Sequence, residues 1–176
     1  MRANDGTQYA RLPTLPTDRG VEGRPTRLAV LAYFLDRFGV PATRFEGHSF
    51  WEKGAGRIWA FAGALETPQD VETLGLPILR TRQEHWKPTT VGVRRFCEDA
   101  TRNVITLDRP AAACFMAGED QSVSWDGDWG YLIVAHIVAG RREPIGVGLY
   151  VHGELQSMIP KSDRRALSET RYSGAP

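Results

Sequence analysis

The sequence predicts an α+β protein, in which a small α/β domain is followed by a mostly antiparallel β-barrel with one short helix. Apolar residues over 25–38 recur at the spacing of one helix face. Residues 129–138 form a long apolar run rich in β-branched and aromatic side chains, as in a central strand. Residues 144–151 alternate apolar side chains with glycine and tyrosine, the period of a half-buried strand. Since short turns separate the later strands, we expect an antiparallel meander.

Composition divides the 176-residue chain into four parts. Residues 1–24 are polar, contain several charges and show no apolar periodicity, so we predict a flexible N-terminal tail. The α/β domain is predicted to span 25–102, and the barrel 103–166. A second flexible tail is predicted over 167–176.

The first domain begins with the helix over 25–38, which Gly39 is placed to end as a left-handed cap. A hairpin over 45–61 follows, because apolar runs flank a glycine-rich turn. The remaining elements are, in chain order, a short helix capped by Thr67-Pro68, a strand over 76–82 and a helix over 89–100.

In the second domain, a strand is followed by a helix and then by about four strands. Asp108 is a suitable N-cap for the helix, and Gly118 is a suitable stop. The predicted elements are, in order, a strand over 104–107, the helix over 109–117, a small strand near Val123, and strands over 129–138, 144–151 and 154–159.

Two glycines, Gly146 and Gly148, lie on one face of the strand over 144–151. Glycine weakens a strand interior, so a pair on one face indicates the close approach of another group. One interpretation is a tightly coiled small barrel, whose corners need glycine, and spacing alone favours it. The alternative is that the backbone of a ligand lies against this face.

Overall charge excludes a generally basic protein. The net charge is +1, from 22 Lys and Arg against 21 Asp and Glu, so a nucleic-acid role must depend on local patches. No apolar run is long enough to span a membrane, and residues 1–20 lack a signal-peptide core, so we expect a cytoplasmic protein. Cys97 and Cys114 show no metal-ligand spacing, and we predict two buried apolar side chains and no metal.

Short motifs of the second half, taken in order, resemble those of PUA-like RNA-binding barrels. They are Gly118-Glu119-Asp120 after the helix, Val123, Gly130-Tyr131-Leu132-Ile133-Val134, Pro144-Ile145-Gly146-Val147-Gly148, Glu154-Leu155 and Pro160-Lys161. They are similar to the PUA-like tail of Sun-family RNA cytosine-C5 methyltransferases. They are also similar to the small archaeal and eukaryotic ribosome-biogenesis factors built from a pre-PUA domain followed by a PUA domain.

The second of these resemblances extends into the first half. The motifs that match the passage from pre-PUA to PUA are Leu74-Gly75, His85-Trp86-Lys87-Pro88-Thr89, Ala100, Val104 and the Phe115-x-x-Gly118 spacing. Over about 25–165, the chain also resembles an uncharacterised archaeal family sometimes named as a cytosine-C5 methylase. The resemblance implies a pre-PUA-like domain over 25–102 and a PUA-like barrel over 103–166.

The function implied by the resemblance is non-catalytic binding of rRNA or tRNA, in ribosome biogenesis or as an accessory to an RNA-modification protein. A methyltransferase is not expected, because the chain lacks the glycine-rich strand–helix turn of a Rossmann domain. Cys97 and Cys114 also follow Phe96 and Ala113, not the Pro or Thr of the family motif. We therefore expect no catalytic residue and no cofactor.

The RNA-binding residues are predicted in two basic clusters, the first of which includes a tryptophan. Phosphates require cations, and unpaired bases stack on aromatic faces. Acidic residues are interleaved, so a solvated face is the alternative, and the resemblance favours RNA. Arg102 and Arg171 extend the two clusters. The predicted binding residues are Arg80, Arg82, Trp86, Lys87, Arg94, Arg95, Gly118, Gly146, Gly148, Lys161, Arg164 and Arg165.

Two other functions remain as alternatives. One is an RNA-acting enzyme, either similar to a nuclease or deaminase or related to the cytosine-C5 methylases. A nuclease or deaminase would present a concave pocket holding His85 with an acid and Lys87. A protein-binding assembly adaptor would present an exposed apolar patch near Trp51 and Trp59. An uninterrupted basic surface without such a pocket would favour RNA binding.

Overall fold

The computed structural model describes residues 8–14, 24–63, 65 and 71–164. Within these ranges the chain forms two five-stranded, mostly antiparallel sheets. Three α-helices, one 3-10 helix and a short helical segment over 161–164 accompany the sheets in the described part of the chain. The predicted α+β class is therefore confirmed, and one of the sheets curls into a half-barrel.

The first sheet is a meander, in which strands pair in chain order and each is antiparallel to the next. This half is therefore α+β rather than the predicted α/β, because its neighbouring strands are all antiparallel, whereas an α/β sheet has parallel strands joined by crossover helices. The strands are β1 (Ala10–Arg11), β2 (His48–Glu52), β3 (Arg57–Ala62), β4 (Leu76–Arg80) and β5 (Lys87–Pro88).

Helix α1 (Arg27–Phe38) forms where the apolar spacing predicts it. The Thr26 hydroxyl caps it by accepting a hydrogen bond from the Ala29 N–H at 3.1 Å. Gly39 ends it in the left-handed conformation, with φ of +65°. Its buried face is made by Val30, Phe34 and Phe38, and a 3-10 helix over Ala42–Phe45 follows.

Helix α2 (Thr90–Phe96) is shorter than the predicted helix over 89–100. It ends at Cys97, and the Ala100 N–H donates to the Cys97 carbonyl at 3.1 Å in a separate turn. The Ala100 carbonyl accepts a hydrogen bond from Arg142 of the second sheet. A tertiary contact thus replaces the last turn of the predicted helix.

The second sheet has the order β6-β8-β9-β10-β7, with β6 parallel to β8 and the other pairs antiparallel. The helix α3 (Arg109–Ala117) follows β6, with Asp108 as N-cap and Gly118 as left-handed stop, as predicted. The strands are β6 (Val104–Leu107), β7 (Gln121–Ser122), β8 (Gly130–Val138), β9 (Arg141–Val151) and β10 (Glu154–Ser157).

Strand β9 begins three residues earlier than the predicted 144–151. Ala139 and Gly140 make the turn from β8 by themselves, with φ of +50° and +78°. Positive φ at both central residues is the geometry of the tight hairpin turn that matches strand twist. Pairing therefore continues from Val138 and Arg141 without a longer loop.

The prediction of a flexible tail over 1–24 is wrong for residues 8–14. Ala10–Arg11 pairs with β2, and Tyr9 and Leu12 are buried. The Tyr9 hydroxyl accepts a hydrogen bond from the Leu74 N–H at 3.0 Å. Two isolated apolar side chains suffice to hold this segment because the sheet edge also satisfies its backbone.

Other predictions fall where the structure gives no description. The predicted helix start at Thr67-Pro68, the tail over 167–176 and the side chain of Arg165 lie outside the described residues. In the described part of the chain, no helix combines the length and apolarity needed to cross a lipid bilayer.

Strands β8 and β9 bury both of their faces. Ile133 and Val147 pack on one side with α1 and the first sheet. Leu132 and Val134 pack on the other side with Phe115 of α3. The two sheets thus share a core, and the division into domains at 102/103 stays a prediction.

Candidate nucleic-acid interface

Three cations stand side by side on neighbouring strands of the first sheet. The register places Arg57 of β3 opposite Arg80 of β4, and Arg80 opposite Lys87 of β5. Residues directly opposite one another in a sheet present their side chains on the same face. Among the described residues, none of the three has a carboxylate within ion-pair distance. We call Arg57, Arg80 and Lys87 the cation row.

Lys87 is the most enclosed member of the cation row. Its ammonium nitrogen lies 3.2 Å from the Met158 Sδ and 5.8 Å from the centre of the Tyr131 ring. Burial, followed by repulsion from Arg80, lowers the pKa of Lys87. A thioether is a weak acceptor, so this positive charge is not neutralised by the contacts around it.

Arg82 continues the positive surface beside Arg57. The N–H of Thr81 donates to the Gly56 carbonyl at 2.7 Å, which ties this segment to the turn before Arg57. Gly56 has φ of +69°, and a Cβ there would lie 2.7 Å from the Arg82 nitrogen. Glycine is thus required for the close approach that brings Arg82 to the turn.

A groove of about 620 Å³ opens between α1, the connection from β4 to β5, and strands β8 and β9. Most of its wall is aromatic or aliphatic, and polar side chains complete it. The aromatic lining residues are Tyr33, His85, Trp86, Trp129 and Tyr131. The other lining residues are Arg37, Gln83, Glu84, Gly130, Leu149 and Val151. We call this site the aromatic groove.

The walls of the aromatic groove are held by hydrogen bonds, one within the first half of the chain and others between the two halves. The Tyr33 hydroxyl donates to the Trp86 carbonyl at 2.8 Å, and the two rings lie 5.6 Å apart. The Arg37 guanidinium donates to the Tyr131 carbonyl at 3.1 Å and to the Trp129 carbonyl at 3.4 Å. These bonds anchor the Tyr33 side chain and the backbone that carries Trp86, Trp129 and Tyr131 before any ligand arrives.

Trp129 is the most open ring of the aromatic groove. It is 60% exposed, and its ring meets His85 edge to face at a centroid distance of 4.9 Å. An exposed indole beside other rings offers a surface on which a flat ligand can stack. The groove adjoins the cation row, because Trp86 precedes Lys87 and Tyr131 lies beside the Lys87 ammonium.

The arginines of α2 do not join the cation row. Arg94 donates to the Ile145 carbonyl at 2.9 Å and lies 3.8 Å from Asp163, so it links α2 to the second sheet. The Arg95 guanidinium lies 5.7 Å from the Phe96 ring, and Arg102 donates to the Asp36 carbonyl at 3.2 Å. The predicted first cluster is therefore split by the fold.

Gly118 and Arg164, both predicted to bind RNA, contact each other in the structure. The Arg164 guanidinium donates to the Ile159 carbonyl at 2.8 Å and to the Ser157 carbonyl at 3.2 Å. It occupies the space where a Cβ on Gly118 would be. Of the two described cations in the predicted second cluster, Lys161 and Arg164, only Lys161 is exposed.

Gly146 and Gly148 face the interior, which corrects their assignment as RNA-binding residues. A Cβ on Gly146 would lie 2.5 Å from Ile159, and a Cβ on Gly148 would lie 2.5 Å from Leu155. Both glycines are buried. The interpretation as tight internal packing therefore holds, because the side chains of Ile159 and Leu155 occupy the space next to the two glycines.

The patch expected for a protein-binding adaptor is absent at the predicted residues. Trp51 is fully buried, and Trp59 is partly buried against Tyr9, with ring centres 5.5 Å apart. Both tryptophans are covered by the N-terminal segment that was predicted to be flexible. The sequence pattern could not distinguish an exposed tryptophan from one that a distant strand covers.

The aromatic groove contains two of the three groups expected in an enzyme pocket, the histidine and an acid. His85 and Glu84 line it, whereas Lys87 lies beside Tyr131 and is not part of the lining. Burial raises the pKa of the Cys97 thiol to about 12, so it is protonated at neutral pH and is a poor nucleophile. No three His, Cys, Asp or Glu side chains in the described segments could hold a metal ion together.

Sequence reasoning missed four residues of this interface: Tyr33, Arg57, Trp129 and Tyr131. Arg57 flanks the predicted hairpin turn, and pairing that hairpin with the strand over 76–82 would have placed it near Arg80. Trp129 stood at the end of an acidic aromatic turn. Its ring contacts His85, which is distant in the sequence, so no local pattern could place the two together.

The N-terminal part of the chain matches a protein family. Residues 1–75 match DUF7122, a family of unknown function. No curated protein matches the chain. The matched segment, less than half of the 176 residues, includes Tyr33 and Arg57 and ends before Arg80, Lys87 and Trp129. The match therefore covers only part of the candidate interface.

Proposed function

We propose that this protein binds RNA without catalysing a reaction, and that it acts on rRNA or tRNA in ribosome biogenesis or RNA modification. The observation that carries the proposal is the cation row. Like charges directly opposite one another destabilise a sheet, yet Arg57, Arg80 and Lys87 face one another with no described acidic partner. A bound polyanion would remove this repulsion.

The geometry of the cation row suits a nucleic-acid backbone. Neighbouring strands lie about 4.8 Å apart, so three side chains in register span about 10 Å. Such a row can contact successive phosphates of one strand, with release of the counterions that accompany them. Arg82 lengthens the same surface. With a net charge of only +1, local arrangement rather than total charge would attract the RNA.

The PUA-like interpretation of the second half supports the same function. A strand, a capped helix and an antiparallel meander over 104–157 occur in the order that the resemblance implies. In the PUA-like families that the sequence resembles, the corresponding part of the chain is an RNA-binding barrel. The finer assignment of the sheet as a PUA-like barrel is part of the proposal.

The test is a triple variant, Arg57→Gln, Arg80→Gln and Lys87→Gln, assayed by filter binding to total tRNA and rRNA fragments. Each lost phosphate contact should lower the slope of log affinity against log salt by about 0.7 to 1. We expect the triple variant to lose about two units of slope and on the order of 10- to 100-fold in affinity at 100 mM salt.

The matched control is Arg109→Gln with Arg141→Gln, a double change at two exposed cations outside the row. Arg141 is paired with Glu98, so its charge is already neutralised. The control should keep the salt slope of the unaltered protein, apart from the small change that the lower net charge causes. Equal losses in control and triple variant would reject the cation row as the binding surface.

The second candidate function is an RNA-acting enzyme, favoured by the presence of His85 and Glu84 in one groove. A nuclease or deaminase would produce cleaved or deaminated RNA in proportion to protein concentration. We expect intact RNA after prolonged incubation, with the His85→Ala variant as the control for contaminating activity. Turnover that disappears in His85→Ala would replace binding with catalysis as the function.

A further inference from the structure

We propose that the aromatic groove holds one unpaired nucleobase of the bound RNA, with the flanking phosphates on the cation row. This rests on the proposed RNA binding and names the part of the RNA that the protein recognises. No sequence motif or comparison assigns a ligand to the groove. The inference comes from its shape, its lining and its position next to positive charge.

The groove has the volume and lining of a small-ligand site. At about 620 Å³ it falls within the range of pockets that hold single small molecules. The wall combines the rings of Trp86 and Trp129 with the aliphatic side chains of Leu149 and Val151. A flat, uncharged aromatic ligand would bury its faces against such walls, and a nucleobase is such a ligand.

The backbone that carries the rings is held by hydrogen bonds, and Tyr33 is anchored through its hydroxyl, so stacking would order little beyond the Trp129 side chain. Tyr33 is bound to the Trp86 carbonyl, and Arg37 holds the Trp129 and Tyr131 carbonyls. Preorganised walls reduce the entropy lost on binding. Because Tyr33 and Arg37 belong to α1, while Tyr131 belongs to the second sheet and Trp129 immediately precedes its strand β8, the groove exists only when both halves are folded together.

The positive charge next to the groove favours a ligand in which an aromatic ring is joined to an anionic group. The Lys87 ammonium is 5.8 Å from the Tyr131 ring, and Arg80 is its neighbour across the sheet. A nucleotide in an RNA strand has this composition, with a base to stack and a phosphate on each side. A base in a duplex is stacked and paired, so an unpaired one is required.

The experiment compares four probes by fluorescence anisotropy or competition: a single-stranded RNA of eight adenylates, the same strand lacking its bases, an eight-pair RNA duplex, and free AMP. We expect the adenylate strand to bind more tightly than the abasic strand by about 5- to 150-fold, the contribution of one stacked base. The duplex should bind like the abasic strand. AMP should compete only weakly, because it lacks the second phosphate contact.

Trp129→Ala is the principal variant, since Trp129 is largely exposed and its removal leaves the core intact. It should lose the preference for the adenylate strand while keeping the affinity for the abasic strand and the salt slope. Trp129→Phe should recover part of the preference. Val151→Trp, which fills the groove without removing a ring, should also abolish it. The control is Val138→Ala, at an exposed apolar residue outside the groove lining.

The outcomes separate the groove from the cation row. Equal binding of adenylate and abasic strands to the unaltered protein would overturn the groove as a base site and leave the cation row standing. Binding of neither strand would overturn both. AMP binding as tight as that of the strand would overturn the assignment to RNA, and would make a free nucleotide the ligand.

Discussion

At the scale of single residues, Gly118 and Arg164 illustrate why a glycine is required. Gly118 ends α3 with φ of +90°, a conformation that is costly for other residues. The Arg164 guanidinium also packs where a side chain would begin. Two separate penalties, one from backbone conformation and one from overlap, therefore act against any substitution at this position.

The first prediction separates those two penalties. Gly118→Ala should lower the free energy of unfolding by about 1–2 kcal/mol for the left-handed backbone, and by about 0.5–1.5 kcal/mol more for each hydrogen bond that Arg164 loses when its guanidinium is displaced. Gly153→Ala is the matched control, because Gly153 has φ of +86° and open space around it. It should show only the backbone penalty. The measurement is urea denaturation of each variant.

An Arg164→Ala background completes the test. Without the guanidinium, Gly118→Ala should cost no more than Gly153→Ala. If Gly118→Ala costs the same with and without Arg164, the two residues are not coupled and the packing interpretation fails. The same data would show how much Arg164 contributes through its bonds to the Ser157 and Ile159 carbonyls.

At the scale of an element, the edge of the first sheet places like charges opposite each other at the proposed RNA-binding surface. Strand β5 contains only Lys87–Pro88, and it pairs with β4 through Arg80 and Leu79. Two like charges therefore face each other across a very short pairing. An arrangement selected only for stability would place an acidic residue here, as opposite charges across a sheet attract.

The second prediction follows from this repulsion. Arg80→Gln should raise the free energy of unfolding by about 0.2–1 kcal/mol at low salt, because it removes a like-charge neighbour from both Arg57 and Lys87. It should at the same time weaken RNA binding. Urea denaturation at 20 mM and 500 mM salt measures the first effect, and salt should reduce it by screening.

Arg141→Gln provides the contrast for Arg80→Gln. It removes an arginine paired with Glu98, so it should be neutral or slightly destabilising, and it should leave RNA binding unchanged. A loss of stability in Arg80→Gln would indicate that Arg80 has an attractive partner, and would remove the physical basis of the cation row.

At the scale of the whole molecule, the two sheets are joined by a common core. Ile133 of β8 and Val147 of β9 pack with the residues of α1, α2 and the first sheet. Arg94 and Arg142 add hydrogen bonds across the same junction. This packing would hold the cation row and the aromatic groove in a constant relative position.

The third prediction is that the described parts of both sheets unfold together. Ile133→Ala should lower the free energy of unfolding by about 2–5 kcal/mol, and it should shift one transition rather than create two. Amide hydrogen exchange of β3 and of β9 provides independent probes of the two sheets. Ile137→Ala, at an exposed position of the same strand, is the control and should change little.

A separate transition for each sheet would contradict the common core. It would instead support two domains divided at 102/103, as the sequence predicts. Exchange rates that change only in β8 and β9 after Ile133→Ala would lead to the same conclusion. In that case the aromatic groove would also depend on the relative position of two independently folding units.

The sequence by itself determined the local elements. Helix α1 and its stop at Gly39, the cap and stop of α3 at Asp108 and Gly118, and the alternating strand β9 all agree with prediction. Each depends on residues within one or two turns of chain, where spacing, capping and backbone conformation act directly. The sequence also singled out Arg80, Lys87 and Trp86, without showing what they face.

Tertiary structure decided which of these residues meet. Register between β3, β4 and β5 brings Arg57 to Arg80 and Lys87, although 30 residues separate the ends of that set. Packing of α1 against the second sheet brings Tyr33 to Trp129, and turns Gly146 and Gly148 inward. A strand pattern reports which side chains share a face, but only the pairing of distant strands determines what that face touches.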